Sequence, residues 1–366
     1  MAALLFDKSQ YRRLQTLSGK VKKIQKKEFL EMFSKGEFYP AEGCTLFSQE
    51  DSPVFYVYGG ARAAKPGHWG QSNYLFQIQT HKVDPEDNSA HDIQSFKMFN
   101  HSTSKTSQFT KLFGASGLTE QCTDKAFLGF TVNGKDLNCP SEKLFLSSEI
   151  RIIEIASETT FRTVIIRTGM EKIELTDLQK AEHFQSGDIP APSYGSSLVR
   201  VPDLDSANTK VAIKVGGSVL SNAHCSDLEF LFHKKKMWQE ESSSEIHLLA
   251  YNLEKRIFDW KLVQVPGFEP RAFHSMVVID RFLYIFGGLD VKTNRRFSIM
   301  PVRININDWT VTSLEIEGFS GFLSGAGALP CADKVFLVGG YTEEVVKKEN
   351  KPCDLITQIS FSSQGK

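Results

Sequence analysis

With 366 residues, 41% of them hydrophobic and 28 of them phenylalanine, the chain has apolar material for a large core with aromatic wedges. Lysine and arginine number 43, as do aspartate and glutamate, so no global field points to nucleic acid or to a membrane surface. The six cysteines form no CxxC pair, which argues against a zinc finger or disulfide framework and fits a reducing compartment. No run of 18 apolar residues is present, so a nuclear or cytosolic protein with no membrane contact is expected.

Residues 1–43 read as a basic helical arm. Leu14, Leu17, Val21 and Ile24 follow a 3-4-3 spacing, one stripe of a helix predicted over 7–35. Arg12, Arg13, Lys20, Lys22, Lys23, Lys26 and Lys27 are seven positive charges with no acid between Arg12 and Lys27. At about 100° per residue the lysines fall opposite the apolar stripe. Two readings stand: a solvated helix face packed on the rest of the chain, or an arm that meets phosphate. The molecule is neutral, so the remainder carries about seven excess negative charges.

Residues 44–366 read as β throughout. A short apolar strand ending in a glycine pair recurs. Residues 54–58 end at Gly59-Gly60, 211–215 at Gly216-Gly217, 282–286 at Gly287-Gly288, and 335–338 at Gly339-Gly340. A worn copy, 126–132, ends at Asn133-Gly134. Glycine lacks Cβ and can turn the backbone sharply at positive φ. Repeats of about 50 residues built this way are the signature of a Kelch β-propeller.

In chain order, unit one covers about 44–100, with outer strands near 74–80 and 93–99 and an acidic loop at 83–91. Unit two covers 107–180, with strands at 109–113, 126–132, 150–155 and 161–167. Unit three covers 187–265 and holds an insertion, 221–244, with His233, Lys234, Lys235 and Lys236 in its middle. Unit four, 266–317, has strands at 276–279, 282–286, 300–306 and 311–316, with Trp309 between the last two. Unit five covers 318–362. Insertions are expected in the first three units, on one rim. Five blades are recognisable. A sixth is incomplete unless the first 45 residues supply strands, from 37–39 and 45–47; otherwise the ring is open or five-bladed.

Catalytic patterns are missing: no GxSxG, HExxH, P-loop or nucleotide fingerprint. His224 and Cys225 are adjacent but have no second pair, and His274 reads as a packing residue. No catalytic residue, metal or cofactor is expected, and the chain reads as a binding platform.

The run Gly187-Asp188-Ile189-Pro190-Ala191-Pro192-Ser193-Tyr194-Gly195 and the strand to Gly216-Gly217 resemble the recombination-activating protein 2 family, the Kelch propeller subunits of V(D)J-type recombinases. The similarity continues through Phe273-His274-Ser275, the strand ending Gly287-Gly288, 335–341 and 54–76. It covers about 45–362 and rests on the order and spacing of generic Kelch motifs. There is no acidic hinge, histone-reading zinc finger or visible sixth blade, and the basic arm is extra. The chain is most similar to the finger-less relatives of ProtoRAG-type transposons.

The resemblance implies a nuclear, non-catalytic accessory subunit. Its partner would be a catalytic DDE recombinase or transposase subunit resembling recombination-activating protein 1, in a 2:2 heterotetramer. Terminal inverted repeat or flanking DNA would be met at phosphates. Arg62 and Lys65, in the turn after Gly59-Gly60, and Lys82, after the next strand, match by order the basic loop that faces flanking DNA. An ordinary solvated loop is the alternative reading. Lys20, Lys22, Lys23, Lys26 and Lys27 would add a second phosphate track. The rival function is a Kelch substrate receptor or scaffold in a ubiquitin ligase, although the 44 residues before the first unit are too few for a BTB domain.

Overall fold

A computed structural model describes residues 4–5, 45–48, 54–59, 61–65, 68–71, 75–82, 91–101, 115–119, 127–136, 145–146, 150–158, 160–168, 184–222, 238–292, 295–296, 301–314, 316–317, 325–331, 334–338, 341–343, 350–352 and 356–361. The chain is all-β across them. One 3-10 turn, Pro202–Leu204, is the single helical element among the described residues. The predicted helix over 7–35, the strand at 109–113, Gly339-Gly340 and the His224-Cys225 pair lie outside them.

Four antiparallel strands make each of the first four units. Unit one is Thr45–Ser48, Val54–Tyr58, Leu75–Lys82 and His91–His101. Unit two is Ser116–Thr119, Phe127–Val132, Ile150–Ile155 and Thr160–Thr168, so its described first strand starts after the predicted 109–113. Unit three is Ser197–Arg200, Lys210–Val215, Ile246–Asn252 and Ile257–Val263. Unit four is Ser275–Ile279, Phe282–Phe286, Val302–Asn305 and Val311–Ser313.

The fifth unit pairs Gly327–Cys331, Lys334–Val338 and Ile356–Phe361, and its fourth strand is Leu4–Leu5 from the start of the chain. Ile316–Glu317 then runs parallel to Leu4–Leu5, so the predicted strand 311–316 is split between two sheets. Thr45–Ser48 belongs to unit one rather than to a sixth unit.

The apolar core lies between the sheets, because inner strands such as Ile150–Ile155, Lys210–Val215 and Phe282–Phe286 bury both faces. In unit four, Leu283 and Ile285 pack with Ile213, Val215 and Ile246 of unit three. Tyr284 and Phe286, one residue out of phase, pack with Val335, Leu337 and Ile359 of unit five. This is the two-residue period of a strand used on both sides. Phe130 and Ile152 meet Ala212, Tyr251 and Trp260 between units two and three, and Phe47, Tyr58 and Leu75 meet Ile153 and Phe161 between units one and two. The first strands touch in chain order, from Thr45–Ser48 through Ser116–Thr119, Ser197–Arg200 and Ser275–Ile279 to Gly327–Cys331. The arrangement is compatible with a β-propeller.

A hydroxyl ladder ties these first strands together. Thr45 Oγ1 donates to Ala115 O at 3.0 Å, Ser116 Oγ to Ser196 O at 2.5 Å, Ser197 Oγ to His274 O at 2.6 Å and Ser275 Oγ to Ala326 O at 2.6 Å. In each case the acceptor carbonyl immediately precedes the first strand of the next unit. The equivalent position in unit five is Gly327, which has no hydroxyl to give.

Candidate functional site

The ladder brings the starts of the first strands to one level, so each antiparallel second strand returns to that same end. There the glycine pairs sit. Gly216 and Gly217 have φ of 54° and 107°, and Gly287 and Gly288 have 61° and 97°. Asn133 and Gly134 repeat the geometry at 60° and 125°. The worn copy therefore keeps the turn, because asparagine is among the few residues that tolerate the left-handed region. Asn133 Nδ2 is held by Ser193 Oγ at 2.5 Å. A Cβ on Gly216 would stand 2.3 Å from Arg271 O, so the turn is closed to any side chain by space as well as by φ.

A second left-handed position recurs two residues before the first strands of units three, four and five. Gly195, Phe273 and Gly325 have φ of 65°, 56° and 71°, and they are joined by backbone bonds, Phe273 N to Gly195 O and Gly325 N to Phe273 O. The sequence carries the signal as Gly-x-Thr or Gly-x-Ser: Gly43-Cys44-Thr45, Gly114-Ala115-Ser116 and Gly195-Ser196-Ser197. Phe273 breaks the pattern. Its ring occupies the space above Gly195, where a Cβ would lie 2.8 Å from the ring, and meets Tyr194 edge-on.

Beyond the second strand every unit adds a small hairpin at this end. They are Ala61–Lys65 with His68–Gln71, Lys135–Asp136 with Phe145–Leu146, Ser218–Asn222 with Trp238–Ser242, Leu289–Asp290 with Arg295–Arg296, and Tyr341–Glu343 with Asn350–Pro352. Insertions are thus not confined to the first three units. The stretch 221–244 is partly this regular hairpin, with Lys234, Lys235 and Lys236 outside the described residues.

Arg62 and Lys65 lie on the first hairpin strand, opposite Gly70 and His68, rather than in an open turn. Lys82 is elsewhere. Its strand starts at Leu75, opposite Tyr58 at the hairpin end, and runs to Lys82 opposite His91. Seven residues at about 3.3 Å each place it roughly 23 Å away, at the other end of the unit. The arm lysines Lys20, Lys22, Lys23, Lys26 and Lys27 lie outside the described residues.

Sequence reading did not single out a buried basic group beside the Gly216 turn. Lys214, His247, Arg271 and His274 are all under 5% exposed. Lys214 and His247 face each other across the second and third strands of unit three. Lys214 Nζ donates to Gly216 O at 3.1 Å. His247 Nδ1 and both nitrogens of His274 have no hydrogen-bond partner among the described residues. From the connection to unit four, His274 Cε1 comes within 3.4 Å of where a Gly216 Cβ would be. Arg271 reaches Gly287 O and Glu269 O and lies over the Phe268 ring.

Burial pushes Lys214 down to about 8, against the pull of Glu245. Burial and the neighbouring cations hold His247 at about 4 and His274 at about 3, so both imidazoles are neutral at physiological pH. Among the described residues no group of three or more His, Cys, Asp or Glu side chains is placed to hold a metal ion.

No protein-family model matches this chain, and no curated protein matches it.

Proposed function

We propose that the chain is a Kelch-type β-propeller acting as a non-catalytic nuclear subunit of a recombinase or transposase, where it supports a DDE catalytic partner and touches flanking DNA. The observation that carries this reading is the hairpin after each second strand, with all five at one end of the molecule and Arg62 and Lys65 on the first. Backbone-shaped projections carrying cations suit phosphate contact, which positions DNA without reading its sequence. Arg62 and Lys65, with the arm lysines, are the contact set. Lys82, at the far end, serves as an internal control.

Co-expression with a transposase-like subunit should yield a complex on size exclusion. In that complex Arg62→Ala with Lys65→Ala should weaken DNA binding at low salt and flatten the salt slope by about two units, one for each lost phosphate contact. Lys82→Ala should leave both unchanged. Recovery of a cullin and no transposase-like subunit would favour the ubiquitin-ligase reading instead.

A further inference from the structure

The Lys214 and His247 pair presents a problem of charge. A buried ammonium stands directly opposite a neutral imidazole on the neighbouring strand. Both are closed to solvent. Among the described residues no carboxylate forms an ion pair with Lys214 Nζ, and Glu245 Oε2 lies 4.0 Å from His247 Nε2. An ammonium has three donors, and Gly216 O takes one. His247 Nδ1 is buried with no partner among the described residues, while its ring packs edge-on to Trp260. Buried charges are ordinarily paired, since leaving one alone costs several kcal/mol.

The surroundings add to the positive field. On the other side of the Gly216 turn, Arg271 keeps its charge at any working pH, and the His274 nitrogens are also unpartnered. The nearest acids are at the margin: the Glu245 side chain is 49% exposed, and exposed Asp188 already accepts a hydrogen bond from Leu262 N.

We propose that Lys214 Nζ and His247 Nδ1 bind a small inorganic anion of halide size at the hairpin end of unit three. The anion would accept hydrogen bonds from both groups and supply the missing counter-charge. Both groups are closed to solvent, so a large anion such as gluconate would not reach them. By holding those strands together at the Gly216 turn, it would fix the base of the Ser218–Asn222 and Trp238–Ser242 hairpin.

The test is thermal melting of the full chain at pH 7 in sodium chloride, sodium bromide or sodium gluconate at matched ionic strength. Halide should raise the melting temperature by about 3–5 °C at a hundredfold excess over Kd, and gluconate should not. Lys214→Met should abolish the difference between salts while the variant still folds in gluconate. If that variant does not fold, His247→Gln, expected to reduce the halide shift, takes its place. A bromide-soaked crystal should show an anomalous peak between Nζ and Nδ1. Equal melting of the wild type in all three salts, or the same halide shift in both variants, overturns the proposal.

Discussion

Two buried charged groups in this molecule make a controlled comparison. At the end away from the hairpins, Glu154 of unit two is buried and bonded by Arg162 on its neighbouring strand and, at 3.3 Å, by Arg256 of unit three. That carboxylate is matched from two sides, and the pairing crosses the seam between units. At the hairpin end, Lys214 and His247 stand beside Arg271 and His274, and among the described residues no acid is ion-paired with Lys214. The first group explains itself as a structural clasp. The second has no such match among the described residues, and the anion proposed above would supply one.

The strongest way to break the comparison is to remove the turn under the basic group. Gly216→Val combines a φ of 54° with a Cβ that would meet Arg271 O at 2.3 Å. It should cost more than about 3 kcal/mol and leave little folded protein, as read by circular dichroism.

Acid sharpens the contrast next. Both histidines titrate lower in the folded chain than the ordinary 6.5, at about 4 and about 3. The unfolded chain therefore binds protons that the folded one refuses. The stability they contribute is full above pH 6.5 and is lost as pH falls toward 4. Melting at pH 5.5 against pH 6.5 should show a loss of about 2 kcal/mol that shrinks when His274 is replaced by Gln.

Deleting one charge from each group should then give opposite signs. Glu154→Gln removes the ion pairs to Arg162 and Arg256 and should cost about 2 kcal/mol, less than a fully buried pair because Arg162 reaches solvent. Lys214→Met in halide-free buffer removes an uncompensated cation and should be neutral or stabilising by about 1 kcal/mol. Destabilisation comparable to Glu154→Gln would mean that Lys214 is satisfied internally. The smallest effect is expected from the ladder: Ser197→Ala should cost about 1 kcal/mol in urea titration, and Ser275→Ala the same.

Much of the fold was legible because its signal is local. An apolar run that stops at two glycines, as at 282–288, states a strand and its turn in seven residues. Units three and four fell close to their predicted bounds for that reason. The hairpins were not legible. Strands of two residues such as Lys135–Asp136 and Leu289–Asp290 are too short and too polar to show a period.

The buried basic group was hidden by the same rule that found the strands. In Val211-Ala212-Ile213-Lys214-Val215, alternation assigns Lys214 to solvent, yet residues 212–215 are all buried because units pack on both faces. The Gly-x-Ser repeat is visible once aligned, but Phe273 and Gly327 each replace a diagnostic residue. Of the candidate site, sequence order put Arg62 and Lys65 in a turn, where the structure has a short hairpin strand. It could not tell that Lys82 belongs to the opposite end, since that depends on strand length and direction together.

The hydroxyl ladder also sets a grammar for how such a chain can change in length. Each of the first four units offers a side-chain donor forward, and the next accepts through a backbone carbonyl, a group every residue possesses. The joint therefore makes demands on the donor alone. A duplicated copy of unit two, three or four would bring its own serine and find a ready acceptor in whatever follows. A copy of unit five would not, because Gly327 ends the sentence. Gain or loss of a repeat is on this ground expected to be easier among units two to four than at unit five.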